Sequence, residues 1–404
     1  MKKLKDLNFK GKRVLVRADF NVPLSPKGDI LDDFRIKATL PTIEYLIKEK
    51  AKVILMSHLD DPKGQVVESL RLTPIKDKLK EYLNLPVFKT RDCLGREVKD
   101  LIEKMKPGEI LLLENLRFHQ EEEENEENFS RELSRLADSY INDAFGACHR
   151  KHASIVGVPE YLPSAMGFLL EKEIKVLSQI SEKPVHPLVA IIGGAKISTK
   201  IKVIEQFLKK ADHLLLGGQI ANTVLEAKGI IVKEELIDPE ILEKIKKIEL
   251  TNPKLHLPID GIISLKDLKT GLEEKYLRKG SLGTVKKEEG VYDIGPETIK
   301  IFSDIIKEAK TIVWNGPLGL YEEAQFEKGT KLITQAILKN RSAFKVVGGG
   351  DTDAFLTKYN LKDKFNHVSS GGGAMLDFLA GETLPGIAAL EKSEPRSVKL
   401  SGKL

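Results

Sequence analysis

Cysteine and long apolar runs are scarce in this chain of 404 residues, which has only two cysteines. Cys93 and Cys148 stand far apart in the sequence, a spacing that fits neither a disulfide scaffold nor a zinc site. The longest apolar runs, such as residues 110–113, fall far short of the roughly 20 residues that a helix needs to cross a bilayer. Because no apolar stretch follows the charged first residues, the sequence predicts a cytoplasmic protein without a signal peptide.

A strong excess of one charge is also absent, since 65 Lys and Arg face 60 Asp and Glu, a net charge of +5. This balance allows a basic pocket for a small anion but not the basic face of a nucleic-acid binder. We interpret the acidic run at 121–127 as a solvated helix face or loop, because like charges so dense repel one another unless water screens them. The composition predicts neither nucleic acid nor a membrane as partner.

Short apolar runs alternate with helical patterns along the chain, which predicts an α/β fold. We expect two Rossmann-like domains, each a parallel sheet flanked by helices and joined by a long connecting helix. The predicted boundaries are 1–164 for the first domain, 165–183 for the connecting helix and 184–372 for the second domain. A final helix and C-terminal segment over 373–404 is expected to return towards the first domain. From residue 391 onward we expect a flexible tail.

In the first half, the predicted strands run into basic and amide residues. Ligands of open α/β sheets bind beyond the carboxyl ends of the strands. The planar fork of an arginine matches the oxygens of carboxylates and phosphates. This half therefore predicts a pocket for a small, multiply charged anion, with candidates Arg35, His58, Arg117, His149 and Arg150. His149 is the weakest of these candidates, because a packed, hydrogen-bonded histidine would explain it equally well.

In the second half, the predicted strands run into glycine, at Gly193, Gly217, Gly316, Gly348 and Gly371. Glycine lets the backbone approach phosphate oxygens, and the N–H groups at a helix start attract negative charge. A single glycine turn is usually structural, but five in one half indicate a nucleotide site. Neither a P-loop nor a G-x-G-x-x-G motif is present, so the common NTPase and dinucleotide fingerprints are missing.

Eight motifs together resemble the phosphoglycerate kinase family, in the family's order from residue 13 to about residue 387. They read VRADFNVP at 16–23, DFRI at 33–36, LENLRFH at 113–119, NDAFG at 142–146, GGAKIS at 193–198, WNGPLG at 314–319, GGGDT at 348–352 and GGGA at 371–374. The resemblance implies a monomeric glycolytic enzyme. It implies reversible, Mg²⁺-dependent phosphoryl transfer from 1,3-bisphosphoglycerate to ADP, giving 3-phosphoglycerate and ATP.

The resemblance also implies roles for individual residues. The first domain would bind 3-phosphoglycerate through Asp19, Asn21, Arg35, His58, Arg117 and Arg150. The second would bind the nucleotide through Lys196, Lys200, Asn315, Glu322, Gly349, Gly350, Asp351 and Thr352, with Asp351 serving Mg²⁺. The catalytic groups would be Arg35, Lys196, Gly372 and Gly373. We expect Lys196 and Lys200 one turn apart on the helix that follows Gly194.

Phosphoryl transfer requires in-line positioning and charge neutralisation more than covalent help. The acceptor in the reverse direction is a carboxylate, which is already ionised, so no general base is expected. Because the two ligands belong to separate domains, we expect transfer to follow hinge closure, which also excludes water.

The sequence departs from the family pattern at two places. Asp60 and Asp61 stand where the family has glycine and arginine, which predicts weaker 3-phosphoglycerate binding and leaves open a binding protein with weakened or lost catalysis. Gln219 to Thr223 replaces the family's usual residues near the expected base pocket, which bears on nucleotide preference. A second alternative, an NAD-dependent dehydrogenase, lacks the dinucleotide fingerprint.

Overall fold

A computed structural model describes residues 1–231 and 238–392 of the chain. Its first sheet has six strands, all parallel, in the order β3-β4-β2-β1-β5-β6. The strands are β1 (Arg13–Arg17), β2 (Lys52–Met56), β3 (Val87–Lys89), β4 (Ile110–Leu112), β5 (Ser139–Asn142) and β6 (Ser164–Met166). The accompanying helices are α1 (Phe34–Lys48), α2 (Thr73–Leu83), α3 (Arg96–Lys104), α4 (Gln120–Glu124), α5 (Glu127–Ser134) and α6 (Phe168–Glu182).

The core of this first sheet forms because its central strands are apolar on both faces, as expected of a parallel sheet covered by helices. Val14 and Val53, on β1 and β2, are completely buried in a cluster that includes Ile36 and Ile43 of α1. Strand β1 ends at Arg17, whose side chain is also completely buried. A buried cation therefore lies at the carboxyl end of an apolar strand.

The second large sheet also has six parallel strands, in the order β15-β14-β13-β7-β8-β9. From residue 188 onward the strands are β7 (Leu188–Ile192), β8 (His213–Leu216), β9 (Leu255–His256), β10 (Asp260–Leu265), β11 (Arg278–Ser281), β12 (Glu289–Ile294), β13 (Thr311–Asn315), β14 (Phe344–Gly348) and β15 (His367–Val368). The helices are α7 (Ile201–Lys210), α8 (Gly218–Ala227), α9 (Pro239–Lys246), α10 (Leu268–Gly271), α11 (Pro296–Glu308), α12 (Lys328–Lys339), α13 (Gly350–Lys358), α14 (Gly372–Leu379) and α15 (Pro385–Glu391). The predicted fold class, with two parallel sheets flanked by helices, is confirmed.

A small antiparallel sheet, in the order β11-β10-β12, is an addition that the sequence did not predict. Ile263 on β10 is completely buried in a satellite cluster with Leu225 of α8 and Leu282. The sheet therefore covers part of α8 with a core of its own.

The contacts divide the chain into two compact units, which we call unit 1 and unit 2. Unit 1 is Met1–Lys175 with the chain from Thr383 onward, and unit 2 is Val176–Glu382. The boundary between Lys175 and Val176 falls inside α6.

The expectation of one final helix from residue 373 is wrong, because the segment forms two short helices, α14 and α15. Glycine at 381, with a φ of +81°, follows α14, and Pro385 begins α15 at a position where its missing N–H costs nothing. In unit 1, the N–H of Gly386 donates to the carbonyl of Cys148 at 2.9 Å. Most of the predicted tail, beyond Lys392, lies outside the described residues.

Across residues 1–231 and 238–392, we find no helix that combines the length and the hydropathy needed to cross a membrane.

Candidate active site

The substrate candidates of unit 1 follow the carboxyl ends of neighbouring parallel strands, where ligands of such sheets bind. Asp19 and Asn21 follow β1, His58 follows β2, Arg117 lies in a short 3-10 turn after β4, and Arg150 follows β5. Register between β1, β2 and β5 brings these strand ends to one edge of the sheet. The topology therefore collects residues that are up to about a third of the chain apart.

Direct hydrogen bonds join part of this group. The guanidinium of Arg35 donates from Nη1 to Oδ1 of Asp19 at 3.3 Å and to the carbonyl of Asn21 at 2.8 Å. The side-chain oxygen of Asn21 accepts the N–H of Asp60 at 2.9 Å, and the carbonyl of Asp60 accepts Nη1 of Arg117 at 2.8 Å. The backbone of the divergent Asp60 thus connects Asn21 to Arg117, whichever side chain stands at 60.

The electrostatics of this edge are strongly positive. Burial lowers the pKa of His58 well below its usual value, and the charges of Arg17, Arg117 and Arg35 lower it further. Burial also lowers the pKa of Arg117, with further contributions from Arg17 and Arg150. His149 is half-buried, and its charge helps to lower the pKa of His152. The cations crowd one another, which favours a bound anion.

Sequence reasoning missed the buried part of this cluster. Arg17 is completely buried, and its Nη2 lies 3.2 Å from Nδ1 of His58. The interpretation of the run 121–127 as solvated is wrong at Glu122, which is completely buried and accepts hydrogen bonds from Ser154. A charged residue ending an apolar strand was the available signal for Arg17. The sequence gives no such signal for Glu122, because it stands in a run of identical residues. The other three, Glu121, Glu123 and Glu124, are exposed.

Glycine turns at the carboxyl ends of the unit 2 strands are joined to one another through their backbones. The N–H of Gly193 donates to the carbonyl of Asn315, and the N–H of Gly194 donates to that of Pro317, each at 2.8 Å. A Cβ built on Gly193 would overlap the carbonyl oxygen of Pro317, so this glycine allows the close approach. The loops after β7 and β13 therefore form one continuous backbone surface.

Only one of the two predicted lysines contacts these turns. Lys200 donates from Nζ to the carbonyl of Gly193 at 2.5 Å. Burial lowers the pKa of Lys200 to about 8, against the opposing effect of the nearby Asp351 carboxylate. The ammonium therefore lies within the glycine turns rather than in bulk solvent.

The expectation that Lys196 and Lys200 share one helix is wrong. Lys196 has extended backbone angles and is exposed, a 3-10 turn covers Ile197–Thr199, and α7 begins at Ile201. The hydroxyl and β-branched residues of this turn have low helix propensity, which explains the delayed helix start.

Two further candidates brace the loops from within. The side-chain amide of Asn315 donates to the carbonyl of Gly348 at 2.8 Å. The hydroxyl of Thr352 accepts the N–H of Gly316 at 2.7 Å. Both side chains are buried, so they shape the surface formed by Gly349 and Gly350. Within residues 1–231 and 238–392, no atom outside the adjacent residues and the backbone of α13 lies within 4 Å of the position that a Cβ on Gly350 would take, which leaves the start of α13 open.

The acidic candidates of unit 2 lie around Tyr321. Burial raises the pKa of Tyr321 to about 12, with contributions from Glu322 and Asp351, which places both carboxylates near this side chain. Asp351 is exposed in the first turn of α13. Gly372 and Gly373 begin α14, and a Cβ on Gly372 would lie 2.5 Å from Cα of Gly349. The starts of α13 and α14 therefore meet at the same glycine.

The divergent stretch from Gln219 to Thr223 lies in α8. Asn222 is buried and donates to the carbonyl of Val291 at 2.9 Å, which fastens α8 to β12. Gln219 is half-buried near the start of the helix. Asn222 is thus accounted for by packing, whereas Gln219 and Thr223 are the two members of the stretch that are not fully buried.

An anion site rich in arginine on one α/β unit, and a glycine-lined, lysine-bearing edge on another, define a phosphotransferase with two anionic substrates. The model of the family "Phosphoglycerate kinase" matches residues 4–382. The chain belongs to the phosphoglycerate kinase family, whose members transfer phosphate to a carboxyl group.

Relatives and solved structures agree with this membership. The chain is 45% identical over 392 residues to a phosphoglycerate kinase of Dictyoglomus turgidum, covering 96% of this chain and 98% of the relative. It is 46% identical over 391 residues to one from Moorella thermoacetica, again covering 96% and 98%. A solved structure of phosphoglycerate kinase from Coxiella burnetii aligns with a TM-score of 0.80 at 37% identity, covering 96% of this chain and 98% of that one. One from Pyrococcus horikoshii aligns with a TM-score of 0.84 at 35% identity, covering 97% and 98%. These comparisons support the kinase rather than the binding protein or the dehydrogenase.

Proposed function

We propose that this chain catalyses reversible, Mg²⁺-dependent phosphoryl transfer from 1,3-bisphosphoglycerate to ADP. The observation that carries the proposal is the crowding of Arg17, Arg35 and Arg117 around the buried His58 at the strand ends of unit 1. Such a cluster favours a ligand with several negative charges. Relatives that are about 45% identical to this chain are named phosphoglycerate kinase.

The proposed acceptor site is the substrate group of unit 1. Arginine forks suit the carboxylate and the 3-phosphate of phosphoglycerate, and Asp19 and Asn21 suit its hydroxyl. Arg35, which bridges Asp19 and Asn21, would also act on the transferring group. The full set is Asp19, Asn21, Arg35, His58, Arg117 and Arg150.

The proposed nucleotide site is the glycine edge of unit 2. Lys200 and the open start of α13 at Gly349 and Gly350 would receive the phosphates, with Asn315 and Thr352 supporting the loop. Glu322 would bind the ribose. Lys196 is exposed, so its long side chain would extend to the transferring group, together with the backbone at Gly372 and Gly373.

Asp351 fits the requirement of a magnesium site. Mg²⁺ is held by one or two carboxylates together with substrate phosphates and water, and Asp351 offers an exposed carboxylate beside the proposed phosphate site. When bound, the ion would neutralise charge on the nucleotide phosphates.

The proposed reaction requires no general base, because the carboxylate of 3-phosphoglycerate is ionised at neutral pH. Catalysis would rest on alignment and on stabilisation of the equatorial oxygens by Arg35, Lys196 and backbone N–H groups. Since the two sites belong to different units, we propose that transfer follows domain closure, in a monomeric, cytoplasmic enzyme.

The proposal is tested by a coupled assay of ATP formation from 1,3-bisphosphoglycerate and Mg·ADP. Arg35→Met should lower kcat/KM by about 100-fold, the usual cost of losing one preorganised charge donor. Arg96→Met, which removes an arginine whose side chain is 95% exposed, is the matched control and should behave as wild type. Absence of ATP formation by the wild-type protein would refute the proposed function.

A further inference from the structure

The guanidinium of Arg17 is held entirely inside unit 1. Its Nη1 donates to the carbonyl of Ala18 at 2.5 Å, and its Nε donates to the hydroxyl of Ser154 at 2.8 Å. The side chain has no solvent exposure. An arginine cannot lose its proton in a protein, so this buried charge needs a compensating anion.

Glu122 supplies that anion through Ser154. One carboxylate oxygen accepts the backbone N–H of Ser154 at 2.8 Å, and the other accepts its hydroxyl at 2.5 Å. Oε1 of Glu122 also lies 4.0 Å from Nη2 of Arg17. A continuous path of hydrogen bonds therefore runs from the Glu122 carboxylate through the Ser154 hydroxyl to the Arg17 guanidinium.

The path ends on His58. Nη2 of Arg17 lies 3.2 Å from Nδ1 of His58, and a guanidinium can only donate. Nδ1 must then accept, which leaves the proton of the neutral ring on Nε2. The strongest influences on this imidazole are burial and the charges of Arg17, Arg117, Arg35 and His152, and each of them opposes the imidazolium. The nearby carboxylates pair with other groups: Glu122 accepts hydrogen bonds from Ser154, and Asp19 accepts one from Arg35.

We propose that Glu122, acting through Ser154, is a positioning residue that aims Arg17 at Nδ1 of His58. The arrangement fixes His58 as a neutral imidazole, whose Nε2–H would donate a hydrogen bond to a negatively charged oxygen of the phosphoglycerate. This inference rests on the proposed function, because His58 belongs to the proposed acceptor site. It assigns a role to a glutamate that none of the motif-based predictions included.

Substitution of Glu122 separates positioning from simple charge, because the two roles predict opposite signs. If Glu122 only added a negative charge near the anion site, Glu122→Gln would tighten phosphoglycerate binding. If Glu122 positions Arg17 and His58, the amide cannot accept both hydrogen bonds from Ser154 and binding weakens. We expect the KM for 3-phosphoglycerate to rise about tenfold, the scale of one lost charged hydrogen bond, with the KM for ATP unchanged.

Two further variants complete the kinetic test. Ser154→Ala breaks the path but leaves the carboxylate, and should raise the same KM. Glu121→Gln removes an exposed carboxylate from the same helix, α4, and should leave both KM values at wild-type levels. A lower KM in Glu122→Gln, or equal effects of Glu121→Gln and Glu122→Gln, would overturn the proposal.

A spectroscopic measurement on the wild-type protein does not depend on catalysis. The chain has 8 histidines, so ¹⁵N-histidine labelling with long-range ¹H–¹⁵N correlation spectra can resolve each ring, and His58→Gln identifies the His58 signals. We expect Nδ1 to be unprotonated and Nε2 to be protonated, and we expect the ring to stay neutral at pH values at which an exposed histidine takes up a proton. An imidazolium or an Nδ1–H tautomer at neutral pH would overturn the positioning role. Because this readout uses no substrate, a failure of the proposed kinase function remains distinguishable from it.

Discussion

At the scale of single residues, Lys200 combines a positive charge with a buried position. Its pKa of about 8 means that the free protein carries this charge below pH 8 and loses it above, well before an ordinary lysine would. Affinity for Mg·ADP should therefore fall by about tenfold between pH 7 and pH 9.5 as the ammonium deprotonates. Calorimetric titration across this range measures the slope.

Lys200→Arg provides the control for this pH dependence, because arginine stays charged throughout the range. Whatever the affinity of this variant for Mg·ADP at pH 7, that affinity should not change up to pH 9.5. Equal slopes for the two proteins would show that another group causes the change.

Asp61 is the second residue with a directional prediction. It is exposed, and its negative charge acts on the nearby Arg117. Asp61→Arg replaces this charge with the family's cation, and we expect the KM for 3-phosphoglycerate to fall several-fold, since a partly buried guanidinium would no longer be neutralised. Asp100→Arg makes the same charge change at an exposed position on α3 and should have little effect. No improvement in Asp61→Arg would contradict the expectation.

Motifs and the position of residues after strand ends predicted Arg35, His58 and Arg117 as candidates, and the structure brings these three side chains near one another. They did not predict the completely buried Arg17, Glu122 and Ser154. Arg17 and Ser154 are 137 positions apart, so their hydrogen bond depends on long-range packing that no local pattern encodes. Glu122 is the same residue type as its exposed neighbours. It is buried because it lies on the side of α4 that packs against the rest of unit 1.

At the scale of elements, some glycines of the turns have no room for a side chain, whereas others have open space around them. Gly193 has no room for a side chain, so Gly193→Ala should cost about 1–3 kcal/mol of unfolding free energy through overpacking. Gly350 has open space around it, so Gly350→Ala should leave stability within about 0.5 kcal/mol of wild type. The added methyl group at the start of α13 should nevertheless weaken nucleotide binding.

Denaturation followed by fluorescence of Trp314 measures these effects, because this single tryptophan is buried in β13 of unit 2. Calorimetry with Mg·ADP gives the affinity. Wild-type affinity in Gly350→Ala would show that the phosphates do not approach the start of α13.

The beginning of α6 gives a pH-dependent stability. Asp143 accepts the N–H groups of Leu169 and Leu170 through one oxygen, at 2.9 and 3.1 Å, and burial raises its pKa to about 7. In the unfolded chain this carboxyl has an ordinary pKa near 4, so between pH 4 and pH 7 only the folded state keeps the proton. The protonated carboxyl therefore stabilises the folded state at low pH, and this stabilisation is lost as the pH rises through 7. Asp143→Asn keeps an acceptor without the charge. The wild type should therefore lose on the order of 4 kcal/mol relative to Asp143→Asn between about pH 4 and pH 8.

Hydrogen exchange of the Leu169 and Leu170 amides at several pH values measures the difference locally. Asp100→Asn removes an exposed carboxylate and should follow the wild-type curve. Parallel curves for wild type and Asp143→Asn would contradict the assignment.

Periodicity predicted the central parallel strands, because they are short, continuous apolar runs. It did not predict β6: the connecting helix expected over 165–183 begins only at Phe168, and Ser164–Met166 forms that strand instead. The antiparallel strands β10 to β12 were missed, since Gly261, Gly280 and Gly290 interrupt their alternation. The delayed start of α7 was missed for a different reason. The spacing of Lys196 and Lys200 fits one helical turn, whereas the local propensity of residues 197–199 decides the backbone.

At the scale of the whole molecule, we propose that the two units carry complementary halves of one reaction. The motif order predicted both halves, and the family match over residues 4–382 spans both units. The boundary inside α6 could not be located by composition, because the helix pattern continues through it without a break.

A crystal structure with both 3-phosphoglycerate and Mg·ADP tests the central claim most directly. We predict the phosphoglycerate among Arg35, His58 and Arg117 of unit 1, and the nucleotide phosphates at Lys200 and the start of α13 in unit 2. Both ligands on one unit, or either ligand away from these residues, would contradict the account.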